Sequence, residues 1–87
     1  MAEYRLTIKP SAAKELNAVS DAVTLARLIE RINSLASLPR PSGSEKLAGR
    51  RNLYRIRQGS YRVIYSVDDQ LRVVDILKVG HRRDVYR

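Results

Sequence analysis

The chain has 87 residues, no cysteine and a formal net charge of +8, from 17 lysines and arginines against 9 aspartates and glutamates. This length predicts one domain over residues 1–87, and the lack of cysteine excludes disulfides and thiolate metal sites. No apolar run reaches the roughly 20 residues of a membrane span. Residues 1–10 lack the apolar core of a secretory signal, so we expect a soluble cytoplasmic protein without membrane contact.

The positive charge is concentrated in the second half of the chain. Residues 45–87 hold eleven cations and five anions, against six and four in residues 1–44. Most of the cations are arginines, whose planar fork of donors suits phosphate, so the excess favours nucleic acid as a partner. The alternative is a basic, solubilising surface that binds no polyanion.

A strand and a short helix are predicted at the start of the chain. Apolar and polar side chains alternate over residues 4–9, which is typical of a half-buried strand. Pro10 should end this strand because proline cannot donate to a ladder. Ser11 is the predicted N-cap of a short helix that reaches about Val19.

A second helix is predicted over residues 22–36, with Ser20 as its N-cap and Asp21 in an acidic first turn. The apolar residues of both helices fall on one face, so the pair should form a hairpin that covers a sheet. The stretch 38–49, rich in proline, glycine and serine, predicts a plain connector.

Three strands are predicted in the second half of the chain. They span residues 53–57, 61–67 and 71–79, with turns at 58–60 and 68–70. The last strand is apolar on both faces and should lie inside the sheet, ending at Gly80 before a short basic tail. The predicted fold is therefore α+β with the order β-α-α-β-β-β, in which a helix hairpin packs on one face of a small, mostly antiparallel sheet.

Few kinds of chemistry are compatible with this composition. One histidine and no cysteine exclude an ordinary zinc site, and no glycine motif for a nucleotide cofactor is present. We therefore expect no metal and no small-molecule cofactor. Arginine, tyrosine and histidine suit metal-independent RNA cleavage, in which the substrate's own 2′-hydroxyl attacks the adjacent phosphorus and the protein orients the phosphate and moves protons.

Three arginines are the main candidates for phosphate contact. Arg55 and Arg57 share one face of the second strand, and Arg62 lies on the same face of the third. Like charges on one face repel, so a purely structural arrangement would cost stability. We therefore predict that they bind phosphate, the alternative being a solvated face.

Three stretches of the chain, YRIR, GSYRVIYSVDD and LKVGHRRDVYR, resemble the RelE toxins of prokaryotic toxin–antitoxin pairs, in the RelE/ParE superfamily. The resemblance implies a ribosome-dependent endoribonuclease that cuts the codon in the ribosomal A site and leaves a 2′,3′-cyclic phosphate. It assigns catalytic roles to Arg62, Arg82, Tyr86 and His81, and RNA phosphate contacts to Arg55, Arg57 and Arg83.

The sequence departs from the resemblance at two positions, because well-studied RelE toxins have lysines where Arg55 and Arg57 stand here. Arginine holds its proton up to a pKa above about 12 and is a poor general base. We therefore expect Tyr86 or His81 to accept the proton.

The resemblance also implies partners, namely an acidic RelB-like antitoxin and a ribosome with mRNA in its A site. Two other functions are compatible with the same residues. One is a ParE-like toxin that binds DNA gyrase and is not a nuclease. The other is an inactive relic that binds RNA or a protein partner.

Overall fold

The computed structural model describes residues 3–49 and 51–81, which form two helices and five strands. The elements are β1 (Arg5–Ile8), α1 (Pro10–Asn17), α2 (Ala22–Ser34), β2 (Glu45–Lys46), β3 (Leu53–Gln58), β4 (Tyr61–Asp68) and β5 (Val73–His81). The strand order is β1-β5-β4-β3-β2. Only the β1–β5 pair of this described sheet is parallel, so the predicted α+β fold is confirmed.

The helix hairpin covers one face of the sheet, as predicted. The core consists of Ala12, Val19, Leu28, Ile32, Leu35, Ile56, Val63, Tyr65, Val67, Val74, Ile76 and Val79. Among the described residues, no helix is long and apolar enough to cross a membrane.

Both predicted N-caps are wrong, by two residues in α1 and by one in α2, although α2 begins at Ala22 as predicted. Helix α1 begins at Pro10 with Lys9 as its N-cap, because the N–H that proline lacks would have no helical partner in the first turn. In α2 the cap is Asp21 rather than Ser20, since the Thr24 amide donates to the Asp21 carboxylate at 3.0 Å. The hydrogen bonds from the Thr24 side chain and backbone lower the pKa of Asp21.

Strand β5 differs most from its prediction. It begins at Val73 because Arg72 has a φ of +55°, and it continues through Gly80 to His81. A register shift leaves Leu77 as an extra residue between the pairs Tyr65–Ile76 and Ile64–Lys78. This bulge places Val79 on the core side, on which Val74 and Ile76 also lie, whereas strict alternation had predicted the opposite face.

The connector before β3 is more ordered than predicted. Glu45 and Lys46 form the short strand β2, in register with Arg55 and Tyr54 of β3. The loop that leads to β2 is anchored at its start, because the buried Tyr65 hydroxyl donates to the Pro39 carbonyl at 2.7 Å. Burial raises the pKa of Tyr65 to about 12.

A second anchor of this loop is charged. The Asp69 carboxylate accepts hydrogen bonds from the Tyr4 hydroxyl at 2.5 Å and the Arg40 guanidinium at 2.9 Å. These two bonds lower the pKa of Asp69. The Arg40 guanidinium also lies over the Tyr54 ring, 5.6 Å from its centroid, so the loop is fixed against the sheet at Arg40 as well as at Pro39.

We expect Tyr65→Phe to lower the free energy of unfolding by about 1–2 kcal/mol, because it leaves the buried Pro39 carbonyl without its donor. Urea denaturation would measure the change. The control is Tyr61→Phe, since the Tyr61 hydroxyl has no hydrogen bond to a described residue. Equal effects of the two changes would show that the Tyr65–Pro39 bond does not stabilise the loop.

Candidate functional site

The three predicted arginines share the sheet face opposite the helices, here called the arginine face. Arg57 of β3 is in direct register with Arg62 of β4. Arg55 pairs with Ile64 and lies two residues from Arg57, on the same face of β3. Side chains of such pairs start roughly 4.5–5.5 Å apart. The structure therefore brings Arg55, Arg57 and Arg62 together.

The arginine face is partly buried, which distinguishes it from a solvated charge cluster. The Arg55 side chain is 11% exposed and that of Arg57 is 55% exposed. Arg62 is half-buried. Its Nε is enclosed and forms no hydrogen bond with any residue in the described ranges. A buried donor without a partner is costly.

A carboxylate that the sequence reasoning missed lies beside Arg55 and Arg57. Glu45 of β2 is in register with Arg55. Its Oε2 is 2.6 Å from Arg55 Nη2 and its Oε1 is 3.6 Å from Arg57 Nη2. Glu45 thus forms ion pairs with two of the three arginines that the sequence predicts to contact phosphate. Its signal in the sequence is that it is the only acidic residue between Glu30 and Asp68.

Gly80 leaves room beside Arg62. The two residues are in register across β4 and β5, so no side chain of β5 projects next to the Arg62 guanidinium on the arginine face. Gly80 therefore contributes no side chain that would cover Arg62.

His81 lies on the other face of the sheet. It pairs with Tyr61, one position beyond the Arg62–Gly80 pair, and alternation turns both rings to the helix side. The ring centroids are 5.8 Å apart with the planes at 75°. The structure therefore does not bring His81 to the arginine face, although the sequence reasoning grouped it with Arg62.

Three predicted site residues, Arg82, Arg83 and Tyr86, lie outside the described residues. The chain runs into them from His81, at the end of β5. Within the described ranges, no three histidine, aspartate or glutamate side chains are grouped as metal ligands would be.

Comparisons with known proteins agree on one group. The family model for the ParE toxin of the type II toxin–antitoxin system parDE matches residues 6–86. Toxin RelG of Mycobacterium tuberculosis is 30% identical over 87 residues, 97% of each chain. The structure is similar to a chain of the RelE–RelB complex from Pyrococcus horikoshii, with a TM-score of 0.82, 34% identity and coverage of 98% of this chain and 100% of that one. For isolated E. coli toxin RelE the TM-score is 0.79 and the identity 29%, with coverage of 95% of this chain and 90% of that one.

We expect Glu45→Gln to strengthen phosphate binding about two- to fivefold, because it removes a charge that competes for Arg55 and Arg57. Amide NMR of β3 during titration with inorganic phosphate would measure the affinity. Glu30→Gln is the matched control, an exposed glutamate on α2. Unchanged affinity in Glu45→Gln would mean that Glu45 does not compete with the anion.

Proposed function

This chain belongs to the ParE toxin family of type II toxin–antitoxin systems, within the RelE/ParE superfamily, and we propose that it is a ribosome-dependent endoribonuclease that cuts mRNA in the ribosomal A site. The observation that carries the proposal is the arginine face, where Arg55, Arg57 and Arg62 lie together and a carboxylate, Glu45, pairs with the first two. Such a cluster can bind a phosphodiester and place a proton acceptor beside it.

The proposed reaction is an intramolecular transfer at phosphorus. The 2′-oxygen of one nucleotide attacks the adjacent phosphorus, the bond to the 5′-oxygen of the next nucleotide breaks, and a 2′,3′-cyclic phosphate remains. One proton leaves the 2′-hydroxyl and one reaches the departing 5′-oxygen. Arg55, Arg57 and Arg62 stabilise the charge that develops on the non-bridging oxygens.

Glu45 is the proposed general base. Arginine keeps its proton at neutral pH, and His81 lies on the opposite sheet face. A phosphate that takes over the donors of Arg55 and Arg57 would release the Glu45 carboxylate next to the reacting atoms. The Glu45 side chain is 58% exposed, so it can turn toward the 2′-hydroxyl.

Residues that follow β5 complete the proposed site. Arg82 and Arg83 would add positive charge at the phosphate, and the Tyr86 hydroxyl would donate the second proton to the leaving 5′-oxygen. His81 is not given a proton-transfer role, because its ring packs against Tyr61 on the helix side.

An acidic antitoxin is the proposed regulator of this activity. The relative from Pyrococcus horikoshii was solved as a RelE–RelB complex, and the E. coli relative as an intact RelBE complex. A net charge of +8 on 87 residues favours a partner rich in carboxylates. We propose that a RelB-like antitoxin binds this chain and blocks its access to the ribosome.

The second candidate is a toxin that binds DNA gyrase, and one observation favours it. The matching family model is that of the ParE toxin, and this chain has arginines where RelE-like lysines are expected. Cuts mapped on translated mRNA would support the nuclease, whereas accumulation of gyrase-cleaved DNA would support the gyrase toxin. Neither signal, with no toxicity on expression, would indicate an inactive relic.

We expect Arg62→Ala to reduce ribosome-dependent mRNA cutting about 10²–10³-fold, because it removes a donor aimed at the developing charge. Primer extension on translated mRNA would measure the cutting. The control is Arg5→Ala, which removes an exposed arginine of β1 with the same change in net charge. Wild-type cutting by folded Arg62→Ala protein would contradict the role of the arginine face.

We expect Glu45→Gln to reduce cutting about 10²–10⁴-fold, because it removes the proton acceptor, although the same change strengthens phosphate binding. Single-turnover cleavage on programmed ribosomes would separate the chemical step from binding. If Glu45→Gln cuts at the normal rate while Tyr86→Phe does not, Tyr86 rather than Glu45 is the base.

A further inference from the structure

A cavity of about 310 Å³ lies between the start of α2 and the β3–β4 turn, on the helix side of the sheet. This cavity, here called the hairpin pocket, is lined by Thr24, Arg27, Gln58, Gly59, Ser60, Tyr61 and His81. Its volume is at the low end of the range for small-molecule sites. None of the groups used in the proposed cleavage lines it.

We propose that the hairpin pocket binds one nucleotide of single-stranded RNA that flanks the cleaved segment. The inference rests on the proposed function, because it extends the path of the same RNA substrate beyond the arginine face. It gives the enzyme a second contact with its substrate, away from the scissile phosphate.

The pocket offers the groups that a nucleotide requires. The half-buried Tyr61 ring has the His81 ring at its edge, and such a ring is a platform on which a base can stack. The Gln58 amide and the Ser60 hydroxyl can donate to and accept from a base edge. The Thr24 hydroxyl already donates its hydrogen to Asp21, so Thr24 forms part of the pocket wall without offering a free donor.

Arg27 supplies the positive charge for a phosphate. It is exposed on α2, and it forms no ion pair with a residue of the described ranges. In this respect Arg27 differs from Arg55 and Arg57, which share Glu45. The Asp21 carboxylate is near enough to interact with Arg27 electrostatically, but it does not form an ion pair with the Arg27 guanidinium, so the Arg27 donors can contact a phosphate group.

The pocket and the arginine face are joined around the tip of the β3–β4 hairpin. Gln58 and Tyr61 form the last pair of the ladder, directly after the Arg57–Arg62 pair. Neighbouring residues of a strand point to opposite faces. Arg57 and Arg62 therefore face the arginine face, whereas Gln58 and Tyr61 face the hairpin pocket. At the tip, a Cβ added to Gly59 would meet no atom within 4 Å, so an RNA chain can pass there.

The test is binding of a short single-stranded RNA with a 2′-deoxy block at the cleavage position, without ribosomes. We expect Arg27→Gln to weaken binding about three- to tenfold and to reduce the slope of log affinity against log salt by about 0.7, the value for one phosphate contact to a single strand. The matched control is Arg5→Gln, with the same loss of charge on an exposed strand residue. Equal effects of the two variants would overturn the proposal.

A second measurement locates the RNA without a substitution. We expect the amide signals of Gly59 and Ser60 and the ring signals of His81 to shift on addition of adenosine monophosphate, more than with inorganic phosphate alone. RNA that moves only the signals of Arg55, Arg57 and Arg62 would refute the pocket but leave the nuclease intact. RNA bound in the pocket of a protein that never cuts would refute the nuclease alone.

Discussion

Mutual repulsion of three arginines on one sheet face is the constraint to which the rest of the site responds. Arg57 and Arg62 are directly opposite each other, and Arg55 is nearly buried, so these charges cannot all be left to water. Glu45 meets both arginines of β3 and offsets part of the repulsion. A phosphodiester carries the same sign of charge and more acceptors. The protein without substrate is therefore arranged around a carboxylate that its proposed substrate would displace.

The position of that carboxylate depends on contacts outside strand β2. Strand β2 has only two residues and could not keep its position by its own ladder bonds. The loop before it is tied down by the Tyr65–Pro39 bond and by the Arg40–Asp69 ion pair. The core residue Tyr65 fixes the loop, the loop positions strand β2, and β2 holds Glu45 beside Arg55 and Arg57.

The sequence predicted the parts of the site that follow from strand alternation. The common face of Arg55, Arg57 and Arg62 depends only on a period of two and on one short hairpin, and both are local. Glu45 could not be found in this way. Strand β2 has only two residues, which is too few to show an alternating pattern, and its pairing with β3 is a tertiary contact that the local sequence does not encode. His81 was expected in a tail after Gly80 and grouped with Arg62 through the family resemblance, because neither the extension of β5 past a glycine nor its bulge can be read from apolar spacing.

That bulge also decides the chemistry of the site. Leu77 is the extra residue of β5, and every later residue changes face because of it. If β5 alternated strictly through Leu77, Val79 would pair with Arg62, His81 would lie two residues further along the arginine face, and Gly80 would face the helices. With it, the imidazole packs edge-on against Tyr61 in the hairpin pocket, and Gly80 is the β5 residue opposite Arg62. The bulge thus places the His81 ring of the proposed nucleotide pocket and the arginines of the proposed phosphate site on opposite faces of the sheet, so the proposed proton transfer falls to Glu45 and Tyr86.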